Sequence, residues 1–548
     1  MLSAWMVGAC VLMLLAGNVF AQEHEHASGE KLGVVHFSTS CNEAAQKEVD
    51  RAVALLHSFQ FSRAIQGFNA TLKDDPTCGI AYWGIALSQW SNPFAAGMKD
   101  TSQLKAGRAS VELGETASEK TEREREYIAA VGRLYADFEN TPQSARLLAY
   151  RDAMSALAAK YPTDSEAQIF YALAIAASED PADKSYAGRL KAGAILENLF
   201  KEEPNHPGLA HYIIHTYDVP PLAPRALDAA RRYSEIAPDA PHALHMPSHT
   251  FTRTGYWQDS INGNIAAAAS AKREGQTAEE LHASDYLTYA YLQTAQDDAA
   301  RSVLNSLPEI ASRFEAKVVT SGAGGPSAGY FALAAIPARY ALERGDWKQA
   351  AQFTPRESPF PYTEAMTWFA RGYGSARLGQ APAAYEAAAA LKQIHERLLK
   401  SGENYWALQV QIQEQAVRAW ALMAEGKKEE ALRQMESAAV REDGTEKSAV
   451  SAVTPGPLAP ARELLGEMLI TANRPAPALT QFEETLKKEP GRFRALYGAG
   501  HAAQLSGNVE ASQNYFRELL RVRERADKPG RAELLEAEKA VSQSCVEW

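Results

Sequence analysis

Apolar residues recur every three or four positions from Ala45 to the end of the chain, and no long segment alternates apolar and polar residues with a period of two. This periodicity predicts a succession of amphipathic helices and leaves strands incidental. Alanine, leucine, glutamate, arginine and lysine run through the chain while β-branched clusters are scarce, which supports the same reading. Two stretches interrupt the pattern. Thr320 to Ser327, TSGAGGPS, is too rich in glycine and serine for a packed helix, and Ser448 to Pro460, SAVSAVTPGPLAP, carries three prolines near its end. They divide the chain into an N-terminal helical block (45–315), a loop (316–330), a central block (331–447), a second loop (448–460) and a C-terminal block (461–548). Each loop is either a tolerated insertion or a segment reaching over a groove.

At 548 residues the chain exceeds one compact core, so an array that grows by repetition is the natural organisation. Ala64, Phe68 and Pro76 set a spacing that Ala478, Phe482 and Pro490 reproduce, with Gly466 in the small position of the preceding helix. Partial copies fall at Gly345, Trp347 and Ala350, at Trp368, Gly372, Gly379 and Ala384, at Gly426 and Ala431, and at Leu496, Gly500, Gly507 and Phe516. Small residues let two antiparallel helices approach, a large apolar residue fills the seam, and the next pair covers what remains. With these motifs the chain resembles the tetratricopeptide-repeat (TPR) family over nearly all its length. The resemblance implies an all-α, right-handed superhelical solenoid of antiparallel helix pairs that binds protein or peptide partners. The segments HFSTSCNEAAQKEVDRAVALLHSFQFSRAIQGF, AYWGIA and HMPSHTFTRTGYW look like exported bacterial repeat proteins, a group whose resemblance carries no biochemical role.

The formal charge of −11, with its signs interspersed, leaves no basic stripe for phosphates, which argues against nucleic acid as a partner. The start is apolar from Trp5 to Phe20 and ends Val19-Phe20-Ala21, so residues 1–21 read as a signal peptide ahead of an N-terminal segment, 22–44. Periplasmic or secreted placement follows. No Lys or Arg precedes Lys31, and that departure keeps an uncleaved membrane anchor as the alternative. Cys41 and Cys78 are placed to form a disulfide in an oxidising compartment, leaving Cys545 without an assigned role.

Six of the thirteen histidines, from His206 to His249, crowd into one short segment. His211 and His215 are followed by His245 and His249 one repeat length later, about 34 residues. They take the fifth and ninth places of successive repeats, and His242 takes the second. The next repeat sets His282 second, Asp285 fifth and Tyr289 ninth. In the TPR family these places line the concave groove, so the resemblance implies that three neighbouring helices present imidazole, carboxylate and phenol to one stretch of groove. Ligands from helices roughly 8–10 Å apart can converge on one ion, and imidazole with carboxylate suits a transition metal such as Zn or Cu, Met246 adding a pointer to copper. Pro247 either kinks its helix, re-aiming His245 and His249, or starts it.

Other readings of the same residues stand beside the metal. A metal-free polar groove would hydrogen-bond a peptide or small anion, with His206, Asp218 and Arg253 assisting. Imidazoles also titrate near neutrality and could sense pH. A metal-dependent hydrolase would use Asp285 or Tyr289 beside the ion. The segment His211-Tyr212-Ile213-Ile214-His215 lacks the glutamate that follows the first histidine of zinc peptidases, and nothing in the chain forces an enzymatic reading. His57, His395 and His501 read as hydrogen-bonded structural residues, and His24, His26 and His36 belong to the N-terminal segment. Trp83 and Trp90, seven apart and followed by Phe94, offer an apolar groove surface or, equally, core packing.

Overall fold

The computed structural model describes residues 29–94, 99–118, 120–180, 183–315, 324–445 and 455–543. The proposed signal peptide, His24, His26, Cys545 and the first parts of both interrupting loops, 316–323 and 448–454, lie outside the described residues. Among the described residues the chain forms α-helices joined by short turns, with no β-strand. No described helix is long and apolar enough to cross a membrane.

Each helix packs on its chain neighbour, and the first helices of successive pairs also touch. Thus Glu43–His57 packs on both Phe61–Asp74 and Ile80–Trp90, and Pro361–Arg377 on both Ala381–Lys400 and Asn404–Ala424. This is the contact pattern of a helical solenoid. Its seams obey the small-to-large rule read from the sequence. Phe68 fills the space left by Gly84, Phe482 that left by Gly466 and Gly498, and Phe516 that left by Gly500; a methyl at any of these glycines would run into the ring. The Cys41–Cys78 disulfide ties the N-terminal segment to the first helical pair.

The chain does not stay open. Glu43–His57 reaches across to Pro207–Thr216, and Thr277–Gln293 to Phe493–Leu505, so the superhelix curls until distant repeats meet. Two large apolar cores result, one from Leu32 to Phe251 and one from Phe331 to Ala502. Buried charges stitch the blocks together. Arg492 is paired with Glu343 and Glu463, each at 2.7 Å, and donates to the Tyr289 hydroxyl at 3.0 Å. Arg339 donates to Asp285 at 2.9 Å and to the carbonyls of Gly456 and Pro457.

The loop boundaries move accordingly. Helix begins at Pro326, inside the first predicted loop, because proline is suited to a first helical position. The described end of the second loop is tucked into the joint, with Leu458 buried, and helix resumes at Ala461. Truncating Arg492 to Ala would leave the Glu343 carboxylate buried without this partner and Glu463 with only the more distant Arg494, at 3.9 Å, at a cost of about 3–5 kcal/mol. Thermal unfolding followed by circular dichroism should show a clearly lowered melting temperature for Arg492→Ala; an unchanged one would show that the joint does not depend on this pair.

Candidate metal centre

The histidines between His206 and His249 are carried by three short helices, separated after the first by a 3-10 turn at Ala223–Ala226 and the helix Leu227–Ile236. Pro207 opens Pro207–Thr216, capped by the His206 ring, which accepts from the Leu209 N–H. His211 and His215 stand one turn apart on it. Pro241–His245 and Pro247–Thr254 follow, and the missing N–H of Pro247 breaks what would otherwise be one helix, so that proline both starts a helix and re-aims His249. His282 comes from Thr277–Gln293.

These helices bring His211, His215, His242, His245, His249 and His282 into one contiguous cluster, none of them more than 7% exposed. It divides into two trios, His211/His215/His242 and His245/His249/His282, each with one nitrogen per ring within 4.8 Å of the others. An ion about 2.0–2.1 Å from each nitrogen would hold them no more than roughly 4.2 Å apart, so a bound ion would draw the rings of each trio closer together.

The hydrogen bonds behind the rings decide where the lone pairs point. In the first trio, His211 Nδ1 lies 2.6 Å from the His57 carbonyl, which can only accept, and His242 Nδ1 lies 2.8 Å from Glu279. Both rings therefore carry their proton on Nδ1 and turn a bare Nε2 inward. Glu279 also accepts from the Gly324 N–H at 2.7 Å, and burial raises its pKa. Among the described residues no group meets His211 Nε2, His242 Nε2 or either nitrogen of His215. In the second trio, the Asn264 amide donates to the Ser260 carbonyl, which leaves its oxygen to accept from His245 Nδ1 at 2.7 Å. His249 Nδ1 donates to Asp218 at 2.9 Å, and Asp218 is held in turn by Arg253. The Nε2 atoms of His245 and His249 then face each other at 3.1 Å with both lone pairs inward. A shared cation relieves that opposition, and so does a proton on one ring.

The walls around the rings are aromatic. Phe94 stacks on His215 at 4.3 Å between centroids, Phe59 stands against His211, and Tyr286 lies 4.8 Å from both His245 and His249. Burial accordingly drives the pKa values of His211, His215 and His242 well below the usual range, neighbouring imidazoles adding to it, and lowers His245 to about 3.

A third group, His57, Glu166 and His206, differs in kind. Glu166 accepts from His57 Nε2 at 2.9 Å and from His206 Nε2 at 3.0 Å, while Tyr212 and the Leu209 N–H occupy the remaining ring nitrogens. Every polar atom is satisfied with both rings neutral. This trio props the His57 carbonyl against His211 and is structural.

The remaining predicted residues separate cleanly. Asp285 does not join the histidines, because its carboxylate is turned to Arg339, and Tyr289 is absorbed by the joint at Arg492. Tyr286, one helical turn beyond His282, stands at the site instead. The hydrolase reading thereby loses both of its assisting groups. His206 supports Glu166 rather than lining a groove, and Asp218 and Arg253 brace His249 from behind. Trp83 and Trp90 are core residues, Trp83 packed among Phe37, Tyr127 and Phe170 and Trp90 against Tyr135. Met246 is likewise fully buried in the N-terminal core. The open polar groove is corrected to an enclosed cluster: the curl of the superhelix lays Phe59 and Phe94 over the concave face. His57, as read from sequence, is a hydrogen-bonded structural residue, and His395 and His501 likewise bond to the Ala407 carbonyl and to Glu536. Sequence reasoning missed Glu279, Asn264 and Tyr286. Glu279 and Tyr286 flank His282 at helical spacing and could have been found; Asn264 carries no such signal.

A cavity of about 640 Å³ is lined by residues of all three helical blocks, Arg253, Phe331, Met366, Trp406, Glu442 and Lys488 among them. Burial pushes the Glu442 carboxyl up to about 7.

No family model matches the chain, and no curated protein matches it. Among solved structures, the human IFIT1 dimer with m7Gppp-AAAA is 10% identical and covers 89% of this chain and 96% of its own, with a TM-score of 0.36. A monomeric IFIT1 mutant with Gppp-AAAA is 11% identical, covering 88% and 97%, also at 0.36. The capped RNA belongs to those proteins, and likeness at this level transfers nothing about ligands to this chain.

The lowered histidine pKa values set a pH dependence. In the unfolded chain these rings protonate near about pH 6.5, whereas folded they resist protonation, so the unfolded state binds more protons as pH falls below that value. Their contribution is intact above pH 6.5 and is lost on acidification, by up to roughly 1.4 kcal/mol per pH unit for each ring. Metal-stripped protein should melt at markedly lower temperature at pH 5.5 than at pH 7.5. Equal melting temperatures would contradict the burial of neutral imidazoles.

Proposed function

We propose that this protein is an exported, TPR-like scaffold that binds a transition metal through its buried histidine cluster. One observation carries the reading: in the first trio, four imidazole nitrogens are buried with no hydrogen-bond partner among the described residues. Each would cost about 1–3 kcal/mol if left so, and a metal ion is the kind of partner that satisfies several bare Nε2 lone pairs together. The supporting shell agrees, since ligand histidines characteristically donate their other ring N–H to a carbonyl or carboxylate, as His211, His242 and His249 do. The donor set is imidazole alone, which suits Cu or Zn and disfavours Mg or Ca. Export is supported by the apolar start and by the Cys41–Cys78 disulfide.

Binding of a protein or peptide partner is a second, compatible role. The cavity lined by all three blocks, which mixes apolar and charged side chains, favours it.

Elemental analysis after stripping, challenge with Cu or Zn and desalting should find metal on the wild type and little on a variant with His211, His215, His245 and His249 all changed to Ala. Equal metal on both proteins would sink the proposal. A milder change, Glu279→Gln, keeps an acceptor near His242 but removes the carboxylate, and should weaken affinity about 10–100-fold; an unchanged affinity would show that Glu279 does not tune the site.

A further inference from the structure

We infer that the two histidine trios form a single two-copper centre whose ligand is dioxygen. The inference rests on the metal-binding reading above and adds the number of ions, their identity and what they bind.

The spacing argues for one unit. Across the trios, His242 and His245 are 6.0 Å apart between ring centroids and His215 and His249 are 6.2 Å apart. Within the trios the ring centroids are 4.4–6.3 Å apart. The nearest rings across the boundary are thus no further apart than the widest pair within a trio, so two ions would be neighbours.

Charge argues for copper. All six donors are neutral, and the carboxylates stand behind them, with Asp218 neutralised by Arg253. Glu279, against His242, offers further negative charge. Two divalent ions would bring four positive charges into a desolvated, aromatic-walled interior, where uncompensated charge is heavily penalised. Two Cu(I) ions bring half as much, and imidazole is an accepted donor for copper.

The open coordination positions then limit the ligand. Three imidazoles per ion leave room for one more donor, and burial admits only a small, uncharged molecule. Dioxygen fits, and the electrons balance. Each Cu(I) gives one electron, the O–O π bond is reduced, and a peroxide dianion bridges two Cu(II) ions. Its two negative charges match the two positive charges gained by the metals, so the buried centre keeps its net charge and needs no proton. The reverse step returns the electrons and releases dioxygen.

The test loads metal-stripped protein anaerobically with a Cu(I) salt, measures bound copper, then admits dioxygen. The account expects two coppers per chain, uptake of one dioxygen per copper pair, a new near-ultraviolet absorption band, little Cu(II) signal in electron paramagnetic resonance because the paired spins cancel, and loss of the band when dioxygen is removed. His282→Gln, checked for folding by circular dichroism, should halve the copper and abolish dioxygen uptake. Two coppers that fail to take up dioxygen, or that oxidise to a full two-spin Cu(II) signal, overturn the paired centre and leave metal binding intact. Preference for two Zn ions in competition with Cu(I) overturns the copper assignment alone. No copper above the level of the fourfold alanine variant overturns both this inference and the reading beneath it.

Discussion

Six imidazoles packed against one another in an interior walled by aromatic rings form the constraint on which the rest of the site depends. A buried polar atom without a partner is among the most expensive features a fold can carry, and here four ring nitrogens of one trio meet no described group. The rings cannot relieve this by protonation, because burial opposes the charged form. Nor can they rotate freely, since His211, His242, His245 and His249 are each fixed from behind by an acceptor. That arrangement is the basis for proposing a ligand that brings positive charge and accepts several lone pairs at once.

The solenoid explains how so costly a cluster is held. A repeat places equivalent residues in register on successive helices, so two pairs of histidines from adjacent repeats arrive side by side without any long loop. The glycine-to-aromatic seams at Phe68, Phe482 and Phe516 set the close approach of the helices. The curl of the superhelix then closes over the concave face, and the buried pairs of Arg492 and Arg339 lock the distant repeats together. Rigidity at the joint and order at the histidines are consequences of the same closure.

Much of this was legible in the sequence because repetition leaves periodic marks. Helical content, the small-to-large seams and the clustering of the histidines follow from spacing, and the disulfide from cysteine placement. What spacing could not show was curvature. An open groove would have exposed the fifth and ninth places, and Asp285 and Tyr289 would have joined His282; in the closed superhelix those side chains meet Arg339 and Arg492 instead, partners 54 and 203 residues away. Trp83 and Trp90 were ambiguous for a similar reason, since a helical face looks the same whether it meets a ligand or another repeat. Asn264 and the His57 carbonyl were invisible because their roles arise only from contact with a ring brought from elsewhere in the chain.

The account stands or falls on whether these imidazoles are ligands. X-ray absorption at the copper edge of the copper-loaded protein tests this most directly. It should show a first shell of about three nitrogens per ion at roughly 2.0–2.1 Å, taking the usual metal–imidazole distance, together with the outer-shell scattering of imidazole rings. A first shell dominated by oxygen or sulfur would contradict it.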